Sequence, residues 1–270
     1  MRKIVNSVAV TVALLVAGMT LLQTPAHSQA PTDPASTQRG KGFKGKGKGK
    51  GGPPVPAKYR PDGTIDLSGI YSGGGSVGDI TTALISHDKL PMLPSAEAIL
   101  KSRRSKDDPE ANCLPTGVPR VAPYPWRLVQ TDTHIFFLFE GNIHSYRQIF
   151  IDGRDFPPDD ELDPTWYGYS IGHFEGDTLV VETKGYNDRF WFDFQGHPHT
   201  DQMTTVERYT RMPNGNLDVQ TTVTDPGAYS EPFTVEFTAR ASPPGEELME
   251  YICQENNQDV SHIQGPASEF

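Results

Sequence analysis

Side chains that can exchange protons or hold charge concentrate in the middle of the chain, between Glu140 and Asp201. Acid–base catalysis needs a group that titrates near neutral pH, usually a histidine, and a partner within hydrogen-bond reach. An arginine nearby can hold a carboxylate or a phosphate through two parallel hydrogen bonds. The candidate catalytic residues on these grounds are Glu140, Arg147, His197 and His199.

A second group of residues in this region is suited to binding rather than to proton transfer. Aromatic rings beside a carboxylate suit a sugar-like or aromatic molecule, because rings stack on rings and the acid accepts hydroxyl hydrogens. For each of them a structural role stays open, namely an ion pair for the charged residues and core packing for the rings. The candidate ligand-binding residues are His144, Arg154, Trp166, Tyr169, His173, Trp191, Asp193 and Glu207.

His197 and His199 are separated by a single residue. On a strand, this spacing places both side chains on the same side, where two histidines can bind one zinc ion. Asp201 or His144 would complete such a site. The glycine and the proline next to these histidines indicate a loop instead, where this spacing loses its geometric meaning. We therefore expect no cofactor, and two alternatives stay open: a zinc ion, and loop histidines without a role.

The elements that position these residues follow from the alternation of apolar and polar residues along the chain, which is typical of strands. About ten such segments occur between Asp66 and Gln254, the last of them at residues 248–254. Residues 95–104 form the one convincing helix, with Ser95 as its cap. Short joins at residues 131–133, 175–177 and 213–216 predict hairpins.

This pattern predicts an all-β domain in which an antiparallel meander closes into a single, lipocalin-like β barrel. Closure removes the exposed strand edges that promote aggregation. A barrel of this size can enclose one small ligand. We expect the domain to span residues 61–270.

The first thirty residues have the composition of a secretory signal peptide. Arg2 and Lys3 precede an apolar run at residues 8–22, and small residues lead to an expected cleavage after Ala30. The alternative, a membrane anchor, needs about 20 apolar residues. We expect a periplasmic or secreted protein with no transmembrane segment after cleavage.

Residues 31–60 are predicted to be a disordered linker rich in Gly, Lys and Pro. The stretch from Ala30 to Arg60 carries eight Lys or Arg and one acid, whereas residues 61–270 carry 14 basic and 33 acidic residues. Two roles stay open for the linker: a tether to an anionic envelope surface, or a solvated spacer. It gives no indication of sequence-specific nucleic-acid binding.

Cys113 and Cys253 are the only cysteines of the chain. Because disulfides persist outside the cytoplasm, export predicts that they pair. The alternative is two separate buried thiols.

Four strings of the sequence carry a resemblance to a known family. They are NCLPTGVPR at residues 112–120, IFIDGR at 149–154, PTWYGYSIGHFEGDTLVV at 164–181, and GHPH at 196–199 followed by Glu207-Arg208. Together they resemble a family of exported, uncharacterised bacterial proteins. The resemblance implies that residues 66–257 form one unit, and it implies no catalytic residues.

A second resemblance is to the lipocalin and calycin barrels. Their first strand usually carries Gly-x-Trp, and Gly69-Ile70-Tyr71 has Tyr in place of Trp. This resemblance implies a cup for a small molecule and no catalysis.

The sequence thus predicts an exported small-molecule-binding β barrel with a polar, aromatic-lined cavity. Whether it is also an acid–base enzyme, a lyase, isomerase or hydrolase acting on a sugar-like or aromatic substrate, stays open. Two alternatives are a non-catalytic periplasmic carrier of a hydrophobic ligand and an envelope-associated scaffold tethered by the basic tail. The sequence does not define the ligand, the reaction or the oligomeric state.

Overall fold

Nine β-strands form a closed barrel in the computed structural model of the chain, which describes residues 53–120, 124–141 and 145–255. The strands follow one another around the barrel in chain order: β1 Gly69–Gly73, β2 Trp126–Gln130, β3 His134–Phe139, β4 Tyr146–Phe150, β5 Tyr169–Glu175, β6 Thr178–Lys184, β7 Thr204–Arg211, β8 Leu217–Thr224 and β9 Phe233–Ala241. Pairing of β1 with β9 closes the ring. The prediction of an all-β barrel is confirmed.

One pair of neighbouring strands is parallel. In β4 and β5, Ile149 lies opposite Ser170 and Phe150 opposite Ile171, and residues 151–168 provide the long connection that a parallel pair needs. A closed ring whose neighbours are all antiparallel must contain an even number of strands, so a ring of nine requires one parallel pair. The predicted uninterrupted antiparallel meander is therefore wrong at this step.

Residues 248–254, predicted as a tenth strand, form no strand. Because the barrel is already closed, no free strand edge is left for them to join. Met249 and Tyr251 in this segment are exposed. Alternation alone did not reveal that the segment lacks a pairing partner.

The three predicted hairpins are present. They join β2 to β3, β5 to β6 and β7 to β8. In the last of them Gly215 has a φ of +88°, a conformation that glycine adopts without steric cost. These turns set the register that decides which side chains enter the barrel.

The barrel interior contains two apolar clusters with polar residues between them. In β8 the inward residues Leu217, Val219, Thr221 and Val223 are buried. Val219 belongs to one cluster and Val223 to the other, so Thr221 lies between the two. This order places a layer of polar side chains across the middle of the barrel.

The segment before β1 packs against one end of the barrel. The Val55 amide donates to the Pro213 carbonyl (2.8 Å), and Arg60 donates to the Gln130 carbonyl (3.0 Å). Ile65 and Leu67 are buried in the adjacent cluster. Residues before the predicted start of the domain at residue 61 thus form hydrogen bonds with the barrel. Residues 1–30 and most of the predicted linker lie outside the described residues.

The cap, which we define as residues 74–120 and 185–203, packs on the other end. It contributes Ile80, Leu90 and Phe192 to the second apolar cluster, beside Phe233 and Val235 of β9. The cap contains helix α1, Pro94–Ser102, close to the predicted 95–104. Ser95 is not its cap: the helix is preceded by Leu93, which makes no side-chain capping bond, and begins with Pro94 in its first turn.

Cys113 and Cys253 form a disulfide with a sequence separation of 140 residues, as predicted. The bond ties the cap to the segment that follows β9. Within the described residues, no helix has both the length and the apolarity to cross a membrane.

Candidate acid–base site

Arg147 and Glu207 form an ion pair in the polar layer inside the barrel, where both side chains are buried. Arg147 Nη1 donates to Glu207 Oε1 (3.0 Å), and its Nη2 donates to Thr183 Oγ1 (2.9 Å). Arg147 Nε donates to Ser170 Oγ (3.3 Å), and the Tyr209 hydroxyl donates to Glu207 Oε1 (2.7 Å). All three nitrogens of Arg147 thus have partners, and the pair is fully engaged within the protein.

A small cavity lies next to this pair. Its lining includes Trp126, Phe137, Phe139, Arg147 and Glu207. The volume is about 30 Å³, and a buried water requires roughly 10–15 Å³. The cavity therefore has room for about two waters on that measure, and a sugar or an aromatic ring does not fit in this conformation.

Asp193 and His197 form a second buried pair, in the cap loop between β6 and β7. Gly196, with a φ of +88°, turns the chain so that its amide reaches the Asp193 carbonyl (3.1 Å). This turn brings the side chain of His197 back onto Asp193, with Nδ1 at 2.6 Å from Oδ2. Gly196, which indicated a loop in the sequence, thus makes the turn that allows Asp193 and His197 to pair.

The Asp193 carboxylate accepts four hydrogen bonds. Its Oδ1 accepts from the amides of Gly196 (3.0 Å) and His197 (3.1 Å), and its Oδ2 accepts from the Ile80 amide (2.7 Å) and from His197 Nδ1. A carboxylate oxygen has two lone pairs, so all four acceptor positions are occupied. Asp193 is therefore held rigidly, and it fixes the proton of His197 on Nδ1.

The geometry suits proton transfer better than metal binding. An oxygen of Asp79 lies within 4.8 Å of ligand atoms of Asp193 and His197, a grouping that resembles a metal site. A cation would need a lone pair of Asp193, and hydrogen bonds already occupy these. In the described residues, His199 and Asp201 do not join this group, so the two-histidine zinc arrangement is not formed there.

The other ring nitrogen of His197, Nε2, is available. Among the described residues it has no hydrogen-bond partner, and it is not one of the fully buried unpaired atoms. The side chain is 8% exposed. A histidine with Nδ1 held by a carboxylate and Nε2 open to solvent has the arrangement of an oriented general base.

His199 lies in the same loop but has a different environment. Its ring packs against Phe190 (centroids 3.8 Å apart) and Phe192 (5.2 Å), and Nδ1 contacts the Thr200 carbonyl (3.2 Å). Burial lowers the pKa of His199 to about 4. The ring is therefore neutral at neutral pH, and its buried Nε2 has no partner in the described part of the chain.

Arg103 and Trp191 stand beside the Asp193–His197 pair. Arg103 Nη1 donates to the carbonyl of Gly196 (2.9 Å), the residue before His197, and its guanidinium lies over the Trp191 ring at 4.8 Å. Trp191 is buried, and Arg103 is partly exposed. The contact to Gly196 places the Arg103 cation at the residue before His197, with Trp191 on its other side.

The remaining predicted residues do not converge on this site. Glu140 accepts from the Met249 amide (2.9 Å), so the carboxylate partner of His197 is Asp193 and not Glu140. Trp166 packs against the second apolar cluster. His144 lies outside the described residues.

Arg154, Tyr169 and His173 lie on the outer face of the barrel. Arg154 pairs with Asp152 (2.6 Å), stacks on Phe150 (3.7 Å) and approaches the Tyr169 hydroxyl (3.4 Å). His173 is exposed beside Glu175 (3.4 Å). These contacts join neighbouring residues of β4, of β5 and of the segment that follows β4.

Sequence reasoning missed Asp79 and Arg103. Asp79 is in the glycine-rich segment after β1, and Arg103 follows α1 in a basic run of ordinary appearance. An arginine at a helix end is usually solvated, so only the fold reveals its position beside His197.

Comparison of the chain with models of protein families, with curated proteins and with solved structures gave no match. The fold and the site define a closed nine-stranded barrel with a capped end that carries an oriented histidine.

Proposed function

We propose that this protein is an exported enzyme that transfers protons on a small organic molecule, with His197 as general base and Asp193 as the residue that orients it. The observation that carries the proposal is the 2.6 Å contact from His197 Nδ1 to Asp193 Oδ2, together with the open Nε2.

The chemistry available to this pair is proton abstraction. His197 Nε2 takes a proton from a bound water or from the substrate, and the Asp193 carboxylate stabilises the imidazolium that forms. Such a step serves a hydrolase, a lyase or an isomerase. Positioned acid–base groups accelerate reactions by about 10²–10⁴-fold.

The pocket beside Arg147 and Glu207 does not favour the carrier alternative. A carrier of a hydrophobic ligand needs an apolar volume of roughly 300 Å³ or more, and the cavity measures about 30 Å³ with Arg147 and Glu207 in its lining. We therefore place the ligand at the capped end rather than inside the barrel. The scaffold alternative depends on the basic tail, most of which lies outside the described residues.

Export is supported by two features. The Cys113–Cys253 disulfide is typical of proteins outside the cytoplasm. The signal-like residues 1–30 are the second feature. A periplasmic or secreted location is part of the proposal.

The proposal is tested by incubating the purified protein with small molecules extracted from the envelope of the source cells. Mass spectrometry then follows which compounds are consumed by the wild type, by His197→Gln and by the control His173→Gln. His173 is an exposed histidine on the outer face, so its replacement matches the chemical change without touching the cap.

We expect a compound that the wild type and His173→Gln consume at equal rates, and that His197→Gln consumes at least about 10²-fold more slowly. Equal rates for His197→Gln and the wild type would contradict the proposal, as would the absence of any compound consumed by the wild type.

A further inference from the structure

Three arginines of the cap and the barrel interior differ in their partners. Arg120 pairs with Asp108 (2.8 Å) and Glu110 (2.5 Å), and Arg147 pairs with Glu207. Arg103 forms no ion pair within 4.0 Å in the described ranges. Unlike Arg120 and Arg147, Arg103 is partly exposed, so a molecule arriving from solvent can reach its guanidinium.

The guanidinium of Arg103 is held in place but not saturated. Its position is fixed by the Gly196 carbonyl (2.9 Å) and by stacking on Trp191 (4.8 Å). A guanidinium has five N–H donors, and within the described residues Arg103 has one hydrogen bond. Its remaining donors are therefore left for another acceptor.

The surroundings of Arg103 keep it charged. Burial lowers its pKa to about 10, and the carboxylates of Asp108, Asp193 and Asp188 act against that effect without touching it. Asp108 is already engaged by Arg120, and Asp193 by its four donors. None of these three carboxylates forms an ion pair with Arg103.

We propose that Arg103 binds the oxyanion of an organic acid, so that the molecule held at the capped end is a carboxylate or a phosphate ester. Its anionic group contacts the free donors of Arg103, and the adjoining part of the molecule lies beside His197. The proposal that this anion is the substrate rests on the function proposed above, whereas the binding of an anion does not.

The test measures binding of benzoate, phenyl phosphate and the neutral analogue benzamide to the full chain by calorimetry. Arg103→Gln removes the guanidinium, and Arg103→Lys keeps the charge without the planar fork. Lys101→Gln is the matched control, because it removes one positive charge at an exposed position two residues before Arg103. His197→Gln separates anion binding from catalysis.

We expect at least one of the two anions to bind to the wild type and to Lys101→Gln with similar affinity, and benzamide to bind much more weakly. Arg103→Gln should weaken anion binding roughly 10–100-fold, the effect of one lost charge-assisted contact, with Arg103→Lys in between. The anion that binds more tightly, benzoate or phenyl phosphate, shows whether the site prefers a carboxylate or a phosphate ester.

The inference is overturned if neither anion binds to the wild type, if benzamide binds as well as the anions, or if Arg103→Gln binds like the wild type. Anion binding that depends on Arg103, together with equal turnover by wild type and His197→Gln, would support the anion site and reject the acid–base function. A circular-dichroism melt of each variant verifies that it is folded.

Discussion

The polar layer of the barrel and the polar cluster of the cap are both buried, yet they differ in how completely their groups are paired. Arg147 and Glu207 engage each other and three hydroxyl groups, from Ser170, Thr183 and Tyr209. In the cap, Asp193 is saturated, whereas His197 Nε2 and most donors of Arg103 have no partner among the described residues.

This difference indicates which region stabilises the fold and which region binds. A complete set of partners makes a polar group part of the structure, because removing any member leaves another unsatisfied. A rigid but incomplete set retains the capacity to bind something else. The two regions should therefore respond differently to substitution.

The largest effect is expected for Arg147→Met. This change leaves the buried Glu207 without its cation, and breaking a buried ion pair costs about 3–5 kcal/mol. Urea unfolding should show a loss of that size. The double variant Arg147→Met, Glu207→Leu should recover part of it, since no unpaired charge remains. A loss below about 1 kcal/mol in the single variant would contradict a structural role for the pair.

A pH effect of about 3 kcal/mol is expected from His199. The pKa of His199 is about 4 in the folded protein, whereas an ordinary histidine, as in the unfolded chain, has a pKa of 6.5. Between pH 4 and pH 6.5 the unfolded chain therefore binds a proton at this residue that the folded chain does not. Stability from this group is therefore complete above pH 6.5 and decreases as the pH falls towards 4.

His199→Leu should remove this contribution, so that its unfolding free energy falls less steeply between pH 7 and pH 4 than that of the wild type. The measurement is urea unfolding across this pH range, with His173→Gln as the control for an exposed histidine. Parallel curves for wild type and His199→Leu would exclude a buried neutral ring.

A smaller effect is expected for Asp193→Asn. The amide replaces one of the oxygens that accept from Ile80, Gly196 and His197, and loss of such bonds to a charged group costs about 1–3 kcal/mol. His197→Gln removes only the Nδ1 bond and leaves the three backbone bonds to Asp193 in place, so it should cost less than Asp193→Asn. Thermal and urea unfolding of both variants give the comparison. If His197→Gln is the more damaging change, the histidine is a structural residue.

The smallest effect is expected on the outer face. Arg154 and Asp152 form a solvent-exposed pair, and such pairs contribute about 0–1 kcal/mol. Arg154→Ala should therefore change the urea midpoint very little and leave anion binding at the cap unchanged. Loss of anion binding in this variant would place the binding site on β4 and β5 instead.

The fold was largely accessible from sequence because alternation, turn residues and cysteines act locally. The hairpin at Asn214-Gly215 and the Cys113–Cys253 bond follow from such signals. The parallel step from β4 to β5 follows from the closure of a ring of nine strands, which no local pattern encodes.

The site was only partly accessible. His197 and Asp193 were both among the candidates, but their pairing depends on the turn at Gly196 and on the Ile80 amide, which is distant in sequence. Glu140 was expected near the histidines and instead accepts from Met249. Arg103 gave no signal, since its partners Gly196 and Trp191 come from another loop.

The most direct test of an oriented base is nitrogen-15 NMR of the imidazole of His197 at neutral pH, in protein labelled at histidine and assigned by comparison with His197→Gln. Because the Asp193 carboxylate only accepts hydrogen bonds, we predict that Nδ1 of His197 carries a proton bonded to Asp193, and we expect Asp193→Asn to disturb this state. A proton found on Nε2, with Nδ1 bare, would contradict the assignment of His197 as the base.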